Sequence, residues 1–137
     1  MTLPTELAVL TLLMILAASL WIPYIVGVNK HAIAGTDPFL RPTPLDQFPA
    51  WVHRANRAHL NLLEQGIPFA VLVLILHSID GFTALTAWTA IVFLGLRVLH
   101  AVGMISGVAR MPWRPVLFTA GWVCCLLMAY AVFAAQA

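Results

Sequence analysis

The chain has 137 residues, of which 62% are hydrophobic and 9% charged, with a formal net charge of +2. A soluble domain carries about 25% charged residues, so a chain this short cannot hide so much apolar surface from water. It is expected to be an integral, multi-pass membrane protein forming one compact domain over residues 1–137, and the lack of any basic run gives no footing for nucleic acid as a partner.

The first apolar run, Leu7 to Val28, matches the roughly 20 residues that cross a hydrocarbon core. Met1 to Glu6 lacks the positive start of a signal peptide, and no A-x-A-like cleavage site follows, so the run reads as a retained helix. Pro4 suits a first turn, and Pro23 should bend the helix near its far end. Asn29 to Pro49 reads as a long polar loop, punctuated by Gly35, Pro38, Pro42, Pro44 and Pro49. Its length suggests a folded cap or interfacial segment, with Phe39, Leu45 and Phe48 dipping toward the bilayer.

The second helix is predicted over Ala50 to Ser78, with its membrane span at about 58–78. Trp51 and His53 suit the water–lipid boundary, and Pro68 should free the Glu64 carbonyl and kink the helix. Residues 77–81 form a short turn. The third helix follows over 82–104, with Arg97, His100 and Met104 on one face. A short connection, 105–115, contains Gly107, Pro112 and Pro115 and is bracketed by Arg110 and Arg114, with Trp113 marking an interface. The fourth span covers 116–134. Its adjacent Cys124 and Cys125 point about 100° apart on a helix, poorly placed to pair or to chelate, and no metal site is expected. The predicted fold is therefore all-α, an integral membrane four-helix bundle.

Four alternating spans place all seven basic residues (Lys30, Arg41, Arg54, Arg57, Arg97, Arg110 and Arg114) at one membrane face. The positive-inside rule then puts the loops at 29–49 and 105–115 in the cytoplasm and both termini outside it.

The stretch Arg54 to Glu64 carries the chemistry. Arg57, Asn61 and Glu64 share one helical face, and Arg54 extends it a turn earlier. A charge facing lipid costs roughly 2.5–3.5 kcal/mol at the bilayer centre, so such a stripe marks a candidate functional site. With His59, Arg97, His100 and Arg114 it forms a cluster of one carboxylate among several cations. Two roles are open and not exclusive. One is an ion-pair network, Glu64 with Arg97 or Arg57, tying helices together. The other is a cationic pocket that binds an anionic, water-soluble ligand while the bilayer supplies an apolar one. No Ser/His/Asp set, Gly-rich phosphate loop or Cys/His box is present.

The run Arg57-Ala58-His59-Leu60-Asn61, followed by Glu64, resembles the signature of the MAPEG family, the membrane-associated proteins of eicosanoid and glutathione metabolism. The resemblance extends to the four spans, the long first loop, Arg97-x-x-His100 in the third helix and an Arg before the fourth. It implies a homotrimer of four-helix protomers holding glutathione, as co-substrate, between subunits near the cytoplasmic face. By the same resemblance, Asn61, Glu64 and His100 match glutathione-contacting positions, and Arg57 and Arg97 match the basic positions. Arg114 matches the catalytic Arg that stabilises the thiolate. The partners implied are membrane lipids and a lipophilic electrophile. The absence of recognisable eukaryotic additions suggests a bacterial inner membrane.

Some positions depart from the family pattern. Pro115 stands where prostaglandin-synthase-like members have Ser, Met104 and Phe118 stand where two pocket tyrosines are expected, and no basic residue separates Leu60 from Asn61. These losses disfavour prostaglandin synthesis. They leave glutathione transferase or peroxidase activity on lipophilic electrophiles as the first expectation. A non-catalytic lipid- or partner-binding member, or one using another thiol, is the second. A proton-coupled exporter using Glu64 is a third, poorly served by cations that would hold Glu64 ionised.

Overall fold

The computed structural model describes residues 3–37 and 42–136. The helices are α1 (Thr5–Ser19), α2 (Ile22–Lys30), α3 (Ala50–Ser78), α4 (Ala84–Ser106) and α5 (Trp113–Ala134), with a 3₁₀ turn at Leu45–Gln47. Among the described residues, four segments are long and apolar enough to cross a membrane: α1 and α2 taken together as Thr5–Lys30, then α3, α4 and α5. Among the described residues there is no strand.

The first span is interrupted rather than merely bent. Helical assignment stops at Ser19 and resumes at Ile22. Pro23 has no N–H to donate, and its ring crowds the carbonyl four residues back, at Ser19. The break is softened because Leu20 N–H still reaches Leu16 O at 2.9 Å and the Trp21 indole donates to Ala18 O at 2.7 Å. By contrast α3 runs unbroken through Pro68.

The bundle core is built where the helices turn their large residues inward. Helix α4 packs against α3, α5 and α1, while α3 also contacts α1, α2 and α5. Leu13, Phe69, Val73, Phe93 and Met128 have no exposed surface. The Phe69 and Phe93 rings stack at 4.0 Å with 2° between their planes, so α3 and α4 are keyed together at mid-bundle. Near the opposite end from the basic cluster, the buried Thr86 hydroxyl donates to the buried Glu6 carboxylate, joining α4 to α1. Thr83 begins α4 with a capping box: its hydroxyl accepts from Thr86 N–H, and Thr83 N–H donates to Thr86 Oγ1.

At the basic end, Phe48 is buried and Leu45 half-buried, and the 3₁₀ turn packs on α3, consistent with a folded cap. Phe39 and Arg41 lie outside the described residues. Helix α4 runs two residues beyond the expected end, to Ser106, and stops at Gly107, whose φ of 82° favours glycine. Helix α5 begins at Trp113, so Arg114 and Pro115 sit in its first turn rather than in the connection. Pro is tolerated there because first-turn N–H groups have no helical acceptor.

Arg54 fastens the end of α4. Its Nε donates to Met104 O at 2.9 Å, and Nη2 donates to Ile105 O at 3.4 Å. A cation on the last carbonyls of a helix complements the helix dipole, here adding to the Gly107 N–H that Met104 O also accepts at 3.2 Å. Arg54→Ala is expected to destabilise the protein by about 1.5–3 kcal/mol, the scale of one charged hydrogen bond. Reversible unfolding in mixed detergent measures this, and an unchanged midpoint would contradict it.

Candidate functional site

A groove of about 450 Å³ opens at the basic end between α3, α4 and α5. Helix α3 supplies Arg57, Asn61 and Glu64, one turn apart as their spacing dictates. Helix α4 supplies His100. Helix α5 supplies Arg114, Pro115, Phe118 and Thr119, with Met111 just before it. The groove is two-sided in character: cations, an amide and a carboxylate on the α3 wall and at Arg114, then an apolar wall of Met111, Pro115 and Phe118.

Asn61 and His100 are nearly inaccessible, at 4% and 2%, whereas Glu64 and Arg114 are exposed and Arg57 is half-buried. Arg57 Nη2 donates to Asn61 Oδ1 at 3.4 Å across one turn. The His100 ring lies 6.3 Å from the Phe118 ring, and its Nε2 is buried without a partner among the described residues. A buried polar atom left unpaired is costly, so this end of the groove favours a polar guest.

The structure therefore brings Arg57, Asn61, Glu64, His100 and Arg114 around one space, and leaves Arg97 out of its lining. Arg97 is 1% exposed and sits behind Phe118, its guanidinium carbon 5.9 Å from that ring and 5.5 Å from Phe93. Its Nη2 donates to Leu117 O at 2.9 Å, while Nε and Nη1 are buried without partners among the described residues. Gln65 reaches the same place from α3, its Nε2 donating to Phe118 O at 3.0 Å. Gly121 makes room for both, since a Cβ there would collide with each side chain.

Two expectations are corrected here. Arg97 is not at the end of its helix: it lies nine residues before the end of α4, roughly 14 Å inward at helical rise. Position 97 shares a face with Phe93, His100 and Met104, and that face is the buried one. The ion pair of Glu64 with Arg97 or Arg57 also does not form within the described residues, because Glu64 points outward and Arg97 inward. Met104, aligned with a pocket tyrosine, is packed in the core and does not line the groove.

Residues the sequence reading passed over are Met111, Thr119 and Gln65. Thr119 follows Pro115 by four, so helical spacing alone places it on the groove face. Gln65 had no such signal, since its role depends on α5 lying alongside. Cys124 is buried and Cys125 half-buried, both as free thiols, and the Cys125 thiol contacts Gln65 O at 3.8 Å.

A comparison with curated proteins returns no match. The profile of the MAPEG family matches residues 7–134, nearly the whole chain, spanning all four membrane segments and every residue of the groove. The chain thus belongs to the MAPEG family, whose members include glutathione transferases and related proteins.

Proposed function

We propose that the protein is a membrane-bound glutathione transferase or peroxidase acting on lipophilic electrophiles. The observation that carries this reading is the two-sided groove. Arg57, Asn61, Glu64, His100 and Arg114 meet a small zwitterionic, thiol-bearing peptide on its polar wall, beside an apolar wall of Met111, Pro115 and Phe118. Glu64, exposed and without a partner among the described residues, receives the ligand ammonium. Arg57 takes a ligand carboxylate through its planar fork. Arg114 faces the sulfur.

In the conjugation step the bound thiol gives its proton to water at the groove mouth. Arg114 stabilises the thiolate, lowering the thiol pKa from its free value of about 8.5. The sulfur then attacks the electrophilic carbon. A C–S bond forms as the bond to the leaving group breaks, and the leaving group departs with the electron pair. Holding both reactants in one groove supplies the proximity term.

The groove of one protomer has an open side along α3. Leu60, Ile67, Val71 and Leu74 are exposed there, and with Glu64 they follow a four-three-four-three spacing. That is the apolar repeat of helices packed in a coiled-coil manner, and it supports association of α3 with copies of itself around a closed rotation axis. A homotrimer with the groove completed by a neighbour is the arrangement we propose, with the basic end in the cytoplasm and both termini outside it.

One observation favours a second reading, a member that binds lipids, partners or another thiol without conjugation. Among the described residues, Thr119 alone of those lining the groove carries a hydroxyl, so few hydroxyl donors are at hand for the sulfur. The exporter reading is disfavoured, because Phe69, Phe93, Leu13 and Met128 fill the middle of the bundle and leave Glu64 no polar route across.

The test is calorimetric binding of glutathione to the detergent-purified oligomer. Glu64→Gln is expected to weaken binding by about tenfold or more, the scale of one charge-assisted hydrogen bond. Equal binding by Glu64→Gln would remove the assigned ammonium contact. Binding without conjugation of any electrophile would favour the second reading.

A further inference from the structure

The first turns of α5 present two faces. Arg114, Pro115, Phe118 and Thr119 look into the groove described above. Trp113 and Leu117, one turn apart, look the other way into a separate groove of about 530 Å³. Its far wall is the outward face of α4, with Leu99, Val102 and Gly103, and its end is closed by Val108 and Ala109 of the connection. Leu99, Val102, Val108 and Trp113 are all more than half exposed. The floor is fixed: a Cβ at Gly103 would lie 2.7 Å from Ala109 Cβ, so the connection folds tightly onto α4 there.

A cation lies beside this groove, next in the chain to Ala109 of its lining. Arg110 is exposed, and its Nε folds back to Gly107 O at 3.4 Å, over the end of α4 between Ser106 and Val108. Its terminal nitrogens have no acceptor among the described residues. No Asp or Glu lies between Asp80 and the end of the chain, so neither α4, the connection nor α5 offers a carboxylate. An apolar slot at the end of the spanning helices, a Trp in its wall and a guanidinium beside it whose terminal nitrogens are unpaired among the described residues suit one kind of guest: an acyl chain ending in an anionic headgroup.

We infer that this α4–α5 groove is a binding site for an anionic phospholipid of the leaflet at the basic end, with its acyl chain between Val102 and Trp113 and its phosphate on Arg110. The site is distinct from the candidate catalytic groove. The two share the 107–112 connection, whose Val108 and Ala109 line one and Met111 the other.

Native mass spectrometry of the detergent-purified oligomer tests this, with phosphatidylglycerol and phosphatidylcholine of identical chains as probes. Phosphatidylglycerol is expected to bind more tightly by roughly fivefold, the scale of one basic side chain at an anionic surface. Arg110→Gln should remove that preference, and Val102→Trp, which fills the slot from an exposed position, should weaken both lipids. Equal binding of the two lipids would overturn the proposal, as would a preference that survives both substitutions. Cross-linking between copies through Val102→Cys, in a background with Cys124 and Cys125 replaced by Ala, would assign the groove to a second copy of the chain and also overturn it.

Discussion

Arg114→Ala is expected to lower kcat/KM for conjugation by about 10²–10³-fold, the cost of deleting one donor aimed at developing charge. In the proposed mechanism the loss falls mainly on kcat, because Arg114 would act on the sulfur as it becomes anionic, while Arg57, Asn61 and Glu64 would hold the rest of the ligand. Arg114 is exposed and donates no side-chain hydrogen bond within the described residues, so its removal should leave the unfolding midpoint unchanged. The pH profile gives a second readout. A cation beside the thiol favours the charged form, so the rate of the intact protein should rise at a lower pH than that of the variant. Steady-state kinetics over a pH series decides the matter. A variant that keeps both kcat and the profile would show that Arg114 does not touch the thiolate.

Phe69→Ala carries the largest expected loss of stability. Phe69 has no exposed surface and stacks on Phe93 at 4.0 Å, in the layer that also seals the bundle centre. Phe to Ala in a packed core costs about 3–5 kcal/mol through lost contacts and the cavity left behind. In a membrane the transfer part shrinks, since the lipid or detergent alternative is itself apolar, but the packing part persists. The lower end, about 3 kcal/mol, is therefore expected. Phe69→Leu, which keeps most of the volume, should cost less than about 1.5 kcal/mol. Reversible unfolding in mixed detergent compares the two, and equal, small effects would mean that the stack is not the keystone of the α3–α4 contact.

Much of this architecture is written in local sequence. Each span announces itself as an apolar run of bilayer length, and the interruption of the first follows from Pro23 alone. The groove's α3 wall is equally legible, because Arg57, Asn61 and Glu64 are bound to one face by helical spacing. What the sequence hides are relations between helices. The placement of Arg97 illustrates this. Its spacing with His100 fixes their shared face, but only the packing of α5 decides that His100 reaches the groove while Arg97 ends behind Phe118, donating to Leu117 O. Glu6 and Thr86 are 80 residues apart, so nothing local predicts their hydrogen bond. The Thr83 cap is the opposite case, a short-range signal overlooked because its partner at the third helical position is Thr86 instead of the usual Glu or Gln.

Binding of glutathione in the groove between α3, α4 and α5, with ionisation of its thiol, is read from the ultraviolet difference spectrum of the purified oligomer titrated with glutathione at neutral pH. A saturable thiolate absorbance is expected, absent with S-methylglutathione and greatly reduced in Arg114→Ala. Saturating glutathione with no thiolate absorbance in the intact protein would contradict that ionisation.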